Sequence, residues 1–165
     1  MARIVELKQE TIPAGTLVGK VYHAEDRDAH GSYGAKWGEW FAGGWFERLA
    51  ELGRPTHGGD YLGAMRMKGD TFEYWIGMLL EPTAALPEGF SSVELPGGSY
   101  AVAWIQGPDG PELYGMHEEC MRLAAERGWK PARDAWYVER YNCPRFTKPN
   151  EKGEVILDYL VTLEE

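Results

Sequence analysis

Cysteine is scarce: Cys120 and Cys143 are the two in a chain of 165 residues. Two thiols build neither a disulfide framework nor a metal quartet, and both are expected to be free. The four histidines, His23, His30, His57 and His117, share no ligand spacing with them, so no structural metal is expected. Positive charge is also in short supply. Lys and Arg total 17 against 26 Asp and Glu, a net charge of −9. Binding to nucleic acid or to an anionic membrane needs a basic surface, so neither is expected as a partner. No apolar run reaches the ~18 residues of a transmembrane helix. The opening residues MARIVELKQE contain no apolar signal-peptide core, and a cytoplasmic protein is expected. Signatures of common chemistry are missing too. Gly58-Gly59 and Gly97-Gly98 lack the spacing of a phosphate-binding loop, and neither a G-x-S-x-G nor a Cys/His nucleophile pattern occurs. No cofactor is expected.

Aromatic residues, by contrast, are abundant: seven Trp, nine Tyr and five Phe. Large rings dominate core burial, and they are also what a pocket for flat apolar ligands requires. With 44% hydrophobic and 26% charged residues the chain has an ordinary globular balance, and its length suits one domain spanning 1–165.

That domain carries an internal duplication. IPAGTLVGKVYHAED (12–26) lies on LPGGSYAVAWIQGPD (95–109) at an offset of 96 − 13 = 83, matching Pro13 with Pro96, Gly15 with Gly98 and Asp26 with Asp109. Arg48-Leu49-Ala50 is echoed by Arg122-Leu123-Ala124. FEYWIGMLLE (72–81) is laid on ILDYLVTLEE (156–165) at an offset of 156 − 72 = 84. The two halves are 1–82 and 91–165.

Periodicity assigns the elements. Ile4–Lys8 and Thr16–His23 read as strands. Trp37, Phe41, Trp45, Leu49 and Leu52 recur at helical spacing, with Gly53 as C′ residue and Pro55 as the stop. Gly43-Gly44 weakens this helix in its middle, which close packing explains, or room for a ligand. Tyr61–Lys68 and Thr71–Glu81 form a hairpin about Gly69-Asp70. In the second half Ser91–Leu95 and Ser99–Gln106 are strands and Glu112–Arg127 is a helix. Ala135–Tyr141 and Glu154–Leu163 are strands, with a loop over 142–153 between them. The fold class is α+β: antiparallel sheets with helices on one face, in two pseudo-symmetric halves with a ligand cleft between them.

The most informative stretch is the strand Ala135–Tyr141. Alternation places Tyr137, Glu139 and Tyr141 on one face and Trp136, Val138 and Arg140 on the other. A carboxylate flanked by two phenols can neutralise a cation while the rings stack on it or offer their π faces. An exposed edge with Glu139 paired to a surface cation accounts for the same pattern. Tyr74, Trp75 and Trp104, on neighbouring strands, face either the core or the cleft.

The layout resembles the GyrI-like small-molecule-binding domain, which also forms the effector-binding part of multidrug-responsive transcription regulators. The resemblance rests on Leu95-Pro96-Gly97-Gly98-Ser99-Tyr100-Ala101-Val102, Tyr74-Trp75-Ile76-Gly77, Glu139-Arg140-Tyr141 and Asp158-Tyr159, in that family's order and over nearly the whole chain. It implies two fused β-α-β-β modules, aromatic walls and a central glutamate for lipophilic cations. That role falls on Glu139, with Tyr141 beside it and Tyr159 near. The candidate ligand-binding residues are Glu139, Tyr141, Tyr137, Tyr159, Trp75, Tyr74, Trp104 and Trp40. Unlike the regulators, the chain is expected to carry no DNA-binding domain.

Three functions follow. The first is a stand-alone binder of hydrophobic, often cationic, aromatic small molecules. The second is a metal-free hydrolase of strained cyclopropane-bearing alkylating compounds, with Glu139 as general base and Tyr141 assisting; desolvation of the carboxylate would raise its pKa toward a useful range. The third is a protein-inhibitory binding module, as the family's gyrase-inhibitor name suggests.

Overall fold

Apolar and β-branched residues alternate with polar ones along most of the chain, and these runs form nine strands among the described residues. The computed structural model describes residues 1–56, 59–82, 85–141 and 144–164. Expectations that involve His57, Gly58, Asn142 or Cys143 lie outside those residues. The strands are β1 (Arg3–Ile12), β2 (Gly15–Tyr22), β3 (Gly53–Pro55), β4 (Tyr61–Lys68), β5 (Thr71–Pro82), β6 (Ser91–Leu95), β7 (Gly98–Pro108), β8 (Tyr137–Tyr141) and β9 (Glu154–Thr162). The helices are α1 (Gly34–Ala42), α2 (Trp45–Glu51) and α3 (His117–Glu126). Among the described residues no helix is long and apolar enough to cross a membrane.

Two compact units divide these elements. A continuous unit runs from Ala14 to Leu95, and a split unit joins Met1–Pro13 to Pro96–Glu165. The continuous unit holds the antiparallel order β4-β5-β2-β6, with β3 added to β5. The split unit holds β1-β7-β9-β8. Thus the first strand of each sequence repeat pairs within the other repeat's unit: β1 with β7, and β6 with β2.

The ladder registers can be set against the offsets expected from the sequence repeat. Gly15 faces Leu95 and Ile12 faces Gly98, so 98 − 15 = 83 and 95 − 12 = 83. Val18 faces Met78 and Ala101 faces Val161, so 101 − 18 = 83 and 161 − 78 = 83. With β2 laid on β7 at 83, these registers lay β5 on β9 at 83, one residue from the 84 of the sequence alignment. A slip of one residue exchanges the two faces of a strand, so the register decides which side chains are equivalent.

Helices cover one face of each sheet. In the continuous unit Tyr74, Ile76, Met78 and Leu80 of β5 join Val18, Trp40, Phe46 and Leu49 in one core, which leaves Glu73 and Trp75 on the other face. In the split unit Ala103, Ile105, Val155 and Leu157 pack with Cys120 of α3, while Val161 packs with Met121.

Three helix expectations change. The single helix expected over Trp37–Leu52 is two helices, because Gly44 takes a left-handed conformation at φ 64° and breaks it. Gly53 follows the C-cap Leu52 at the expected C′ position, and it also opens β3, a strand where only a helix stop was expected. The helix expected to start at Glu112 starts at His117, because turns close at Gly110–Leu113 and Glu112–Gly115 before it. Leu113 is nonetheless fully buried, so its apolar signal was correct and only its conformation differs.

Candidate ligand-binding site

Strand β8 builds the centre of the site. Tyr137 packs beside Met121 and Trp129, while Tyr141 and Tyr159 pack against the core that holds Cys120, so this face of the sheet is the one that α3 covers. Alternation puts Glu139 on the same face, between Tyr137 and Tyr141. Its neighbour across the ladder is Tyr159. Glu139 is 8% exposed, which makes it one of the few buried carboxylates among the described residues.

The hydrogen bonds fix these groups. The Tyr141 hydroxyl donates to Glu139 Oε1 at 3.4 Å. The Tyr159 hydroxyl and His117 Nδ1 share a bond of 2.6 Å. The His117 ring stands edge-on to Tyr137, 77° between planes and 5.0 Å between centroids, and to Tyr159 at 82° and 5.8 Å. Phe146 stands edge-on to Tyr141 at 4.8 Å. Burial pushes the Tyr159 phenol above its ordinary pKa, and the negative field of Glu139 adds to the shift. The hydroxyl therefore stays protonated and available as a donor at neutral pH.

Four of the eight residues singled out in the sequence thus come together: Glu139, Tyr137, Tyr141 and Tyr159. Trp104 lies in the same unit on the opposite face of the sheet, since Ala103 and Ile105 beside it face α3. Lys8 Nζ and Arg145 Cζ each stand 4.3 Å from its ring centroid. The remaining three belong to the continuous unit. Trp40 is fully buried in its core and donates its indole N–H to the Tyr22 hydroxyl at 3.1 Å. Tyr74 stacks on Tyr33 at 4.2 Å and accepts from Trp37 Nε1 at 3.0 Å. Trp75 is 4% exposed on the other face and donates to Glu73 Oε1 at 3.1 Å, beside Arg66 Nε at 2.8 Å.

Sequence reading missed His117 and Phe146. His117 was weighed only as a metal ligand. Its place beside Tyr159 comes from the docking of α3, which no local pattern encodes. Phe146 lies in the loop after β8 and reaches Tyr141 through loop closure.

The two units differ at this position. Tyr137 pairs with Val161 and Tyr61 with Met78, so β4 supplies the counterpart of β8. Glu139 opposite Tyr159 then corresponds to Gly63 opposite Ile76. At these matched positions among the described residues, the carboxylate with flanking phenols belongs to the split unit.

Solved structures share this architecture. SAV2435 bound to tetraphenylphosphonium matches with a TM-score of 0.68 at 16% identity, over 97% of this chain and 94% of that one. The fold is GyrI-like. A second GyrI-like match is the EcmrR C-terminal domain, with a TM-score of 0.65 at 10% identity, over 97% of this chain and 98% of that one. A hydrolase from Listeria innocua matches at 0.53 and 11% identity, over 96% and 92%. No protein-family model matches the sequence, and no curated protein matches it. At these identities the likeness is one of fold.

Proposed function

We propose that the chain binds a lipophilic, cationic aromatic small molecule against Glu139, with Tyr137, Tyr141 and Tyr159 as the ring contacts. One observation carries this reading: a carboxylate 8% exposed sits on a strand face between two phenols and opposite a third. An organic cation against a buried carboxylate gains a charge-assisted contact in low-dielectric surroundings, while its rings cover the phenols. SAV2435, of the same fold, was solved with a lipophilic phosphonium cation, which supports the ligand class. The continuous unit is less suited to this role. Its rings already lie under the chain's own cations, with Lys20 over Trp45, Arg27 over Phe72 and Lys36 over Tyr22.

The test is titration with tetraphenylphosphonium. Glu139→Gln is expected to lose about 1–3 kcal/mol of binding, the range for a charge-assisted contact, with an unchanged circular dichroism spectrum. Equal affinity in a folded Glu139→Gln variant would overturn the assignment.

A second reading draws on the Listeria hydrolase fold and on the phenol that shares a short bond with His117 beside Glu139. Here Glu139 takes a proton from water. The new hydroxyl attacks a cyclopropane carbon, the strained C–C bond breaks, and the other carbon is protonated. Formation of ring-opened product that stops in Glu139→Gln supports this reading; formation that survives it does not.

A further inference from the structure

The continuous unit contains a second arrangement of rings around a positive charge. Lys20 of β2 projects to the helix-covered face, with Val18 and Tyr22 on the same side of the strand. Its Nζ lies 3.9 Å from the Trp45 ring centroid and 4.9 Å from that of Phe90. Trp40 stands perpendicular to both rings, at 81° and 5.5 Å to Trp45 and at 88° and 6.0 Å to Phe90. Trp45 and Phe90 flank the ammonium as two walls of a box, and Trp40 packs at right angles to both as its floor. The floor is rigid, because Trp40 is fully buried and its indole N–H is held by Tyr22. Trp45 and Phe90 are partly exposed, so the box opens to solvent.

The glycine pair Gly43-Gly44 now has a reason. A Cβ on Gly43 would stand 2.6 Å from Trp45 Nε1, and the left-handed Gly44 starts the helix that presents Trp45. The break in the helix positions one wall of the box.

We propose that the Trp40–Trp45–Phe90 box is a second cation site, selective for methylated ammonium groups, and that Lys20 is its tethered competitor. Aromatic cages of this kind recognise quaternary ammonium groups. A primary ammonium retains a strong hydration shell, so Lys20 is a weak occupant held in place by its tether. A tethered group acts at an effective concentration in the millimolar range, which sets the threshold that an external cation must exceed. Lys20 has a flexible stem and can leave without disturbing the strand. The site is independent of Glu139, and each reading can fail without the other.

The probe is choline, with 3,3-dimethyl-1-butanol as its neutral isostere and tryptophan fluorescence as the readout. Lys20→Ala is expected to bind choline at least ~10-fold more tightly than the wild-type chain, because the competitor is gone. The alcohol is expected to bind neither. Trp45→Leu in the Lys20→Ala background is expected to abolish choline binding. A second measurement uses the unaltered protein: choline should raise the rate at which an amine-reactive reagent labels Lys20 several-fold, while the alcohol should not. Equal choline affinity in wild type and a folded Lys20→Ala overturns the proposal, as does choline binding that survives loss of Trp45. If Lys20→Ala does not fold, an unchanged Lys20 labelling rate overturns it. Choline binding that depends on Glu139 instead of Trp45 removes this site and leaves the first one standing.

Discussion

Glu139 and Tyr159 face each other across β8 and β9, and the Tyr159 hydroxyl is in turn bonded to His117 on α3. The pair ties the buried carboxylate's strand to the helix that covers it. Tyr159→Phe keeps the ring and removes the bond. It is expected to cost about 0.5–1.5 kcal/mol of stability by denaturant unfolding, the usual net value of one hydrogen bond. Phosphonium binding should fall by less than in Glu139→Gln, because the aromatic surface remains. A larger loss in Tyr159→Phe would make the phenol, and not the carboxylate, the main contact.

The opposite face of the same sheet depends on Asp158. It is fully buried and accepts from Arg140 Nη2 at 2.8 Å and from Arg145 Nη2 at 2.9 Å. Asp158→Ala removes the shared buried acceptor of two guanidinium groups, of which Arg140 keeps Glu10 at 3.6 Å, and removing one partner of a buried pair costs roughly 3–5 kcal/mol. Both arginines keep some solvent contact, so the lower end of that range is expected. Asp158→Asn, which still accepts hydrogen bonds, should lose less. Denaturation midpoints of the two variants provide the check.

Stability should decline in alkali. Burial pushes the Tyr100 phenol from 10.0 up to about 12 and the Cys120 thiol from 9.0 up to about 12. Between pH 9 and 12 the folded chain therefore holds more protons than the unfolded one, and stability falls as pH rises. Below pH 9 both groups are protonated in either state, and their contribution is complete. Denaturant unfolding at pH 8 and at higher pH should show the decline, and Cys120→Ala should flatten part of it. At pH 8 an alkylating reagent should label Cys120 in the folded chain far more slowly than in denaturant.

Acid acts through Glu73. Burial by itself raises its pKa, but bonds from Trp75 and Arg66 outweigh this and hold it below 4.5. The stabilisation is present above pH 4.5 and is lost as pH falls below it. A Glu73→Gln variant should show a shallower loss on acidification.

The duplication makes a geometric prediction. In an experimental structure, β2 and β5 should superpose on β7 and β9 at an offset of 83, Val18 on Ala101 and Met78 on Val161, and β4 on β8 at an offset of 76, Tyr61 on Tyr137. Strand pairs that superpose at other offsets than these, or not at all, would remove the duplication.

Local chemistry determined much of this protein. Period-two alternation and β-branched residues placed every strand but β3 within a few residues. Gly69-Asp70 closes the β4–β5 hairpin as the turn rule requires, with Lys68 paired to Thr71. Alternation also put Tyr137, Glu139 and Tyr141 on one face before any packing was known. What depended on distant contacts was not legible. A periodic pattern does not say whether a face meets a helix or solvent, so core rings such as Trp40 and Tyr74 read the same as site rings. Helical spacing runs unbroken through Trp37–Leu52, and only packing of Trp45 against Gly43 with the turn at Gly44 divides it. The pairing of β1 with β7, the register of 83 and the place of His117 beside Tyr159 each join residues far apart in the chain. Such contacts are selected by the burial of whole faces, which is a property of the assembled sheets and not of any segment.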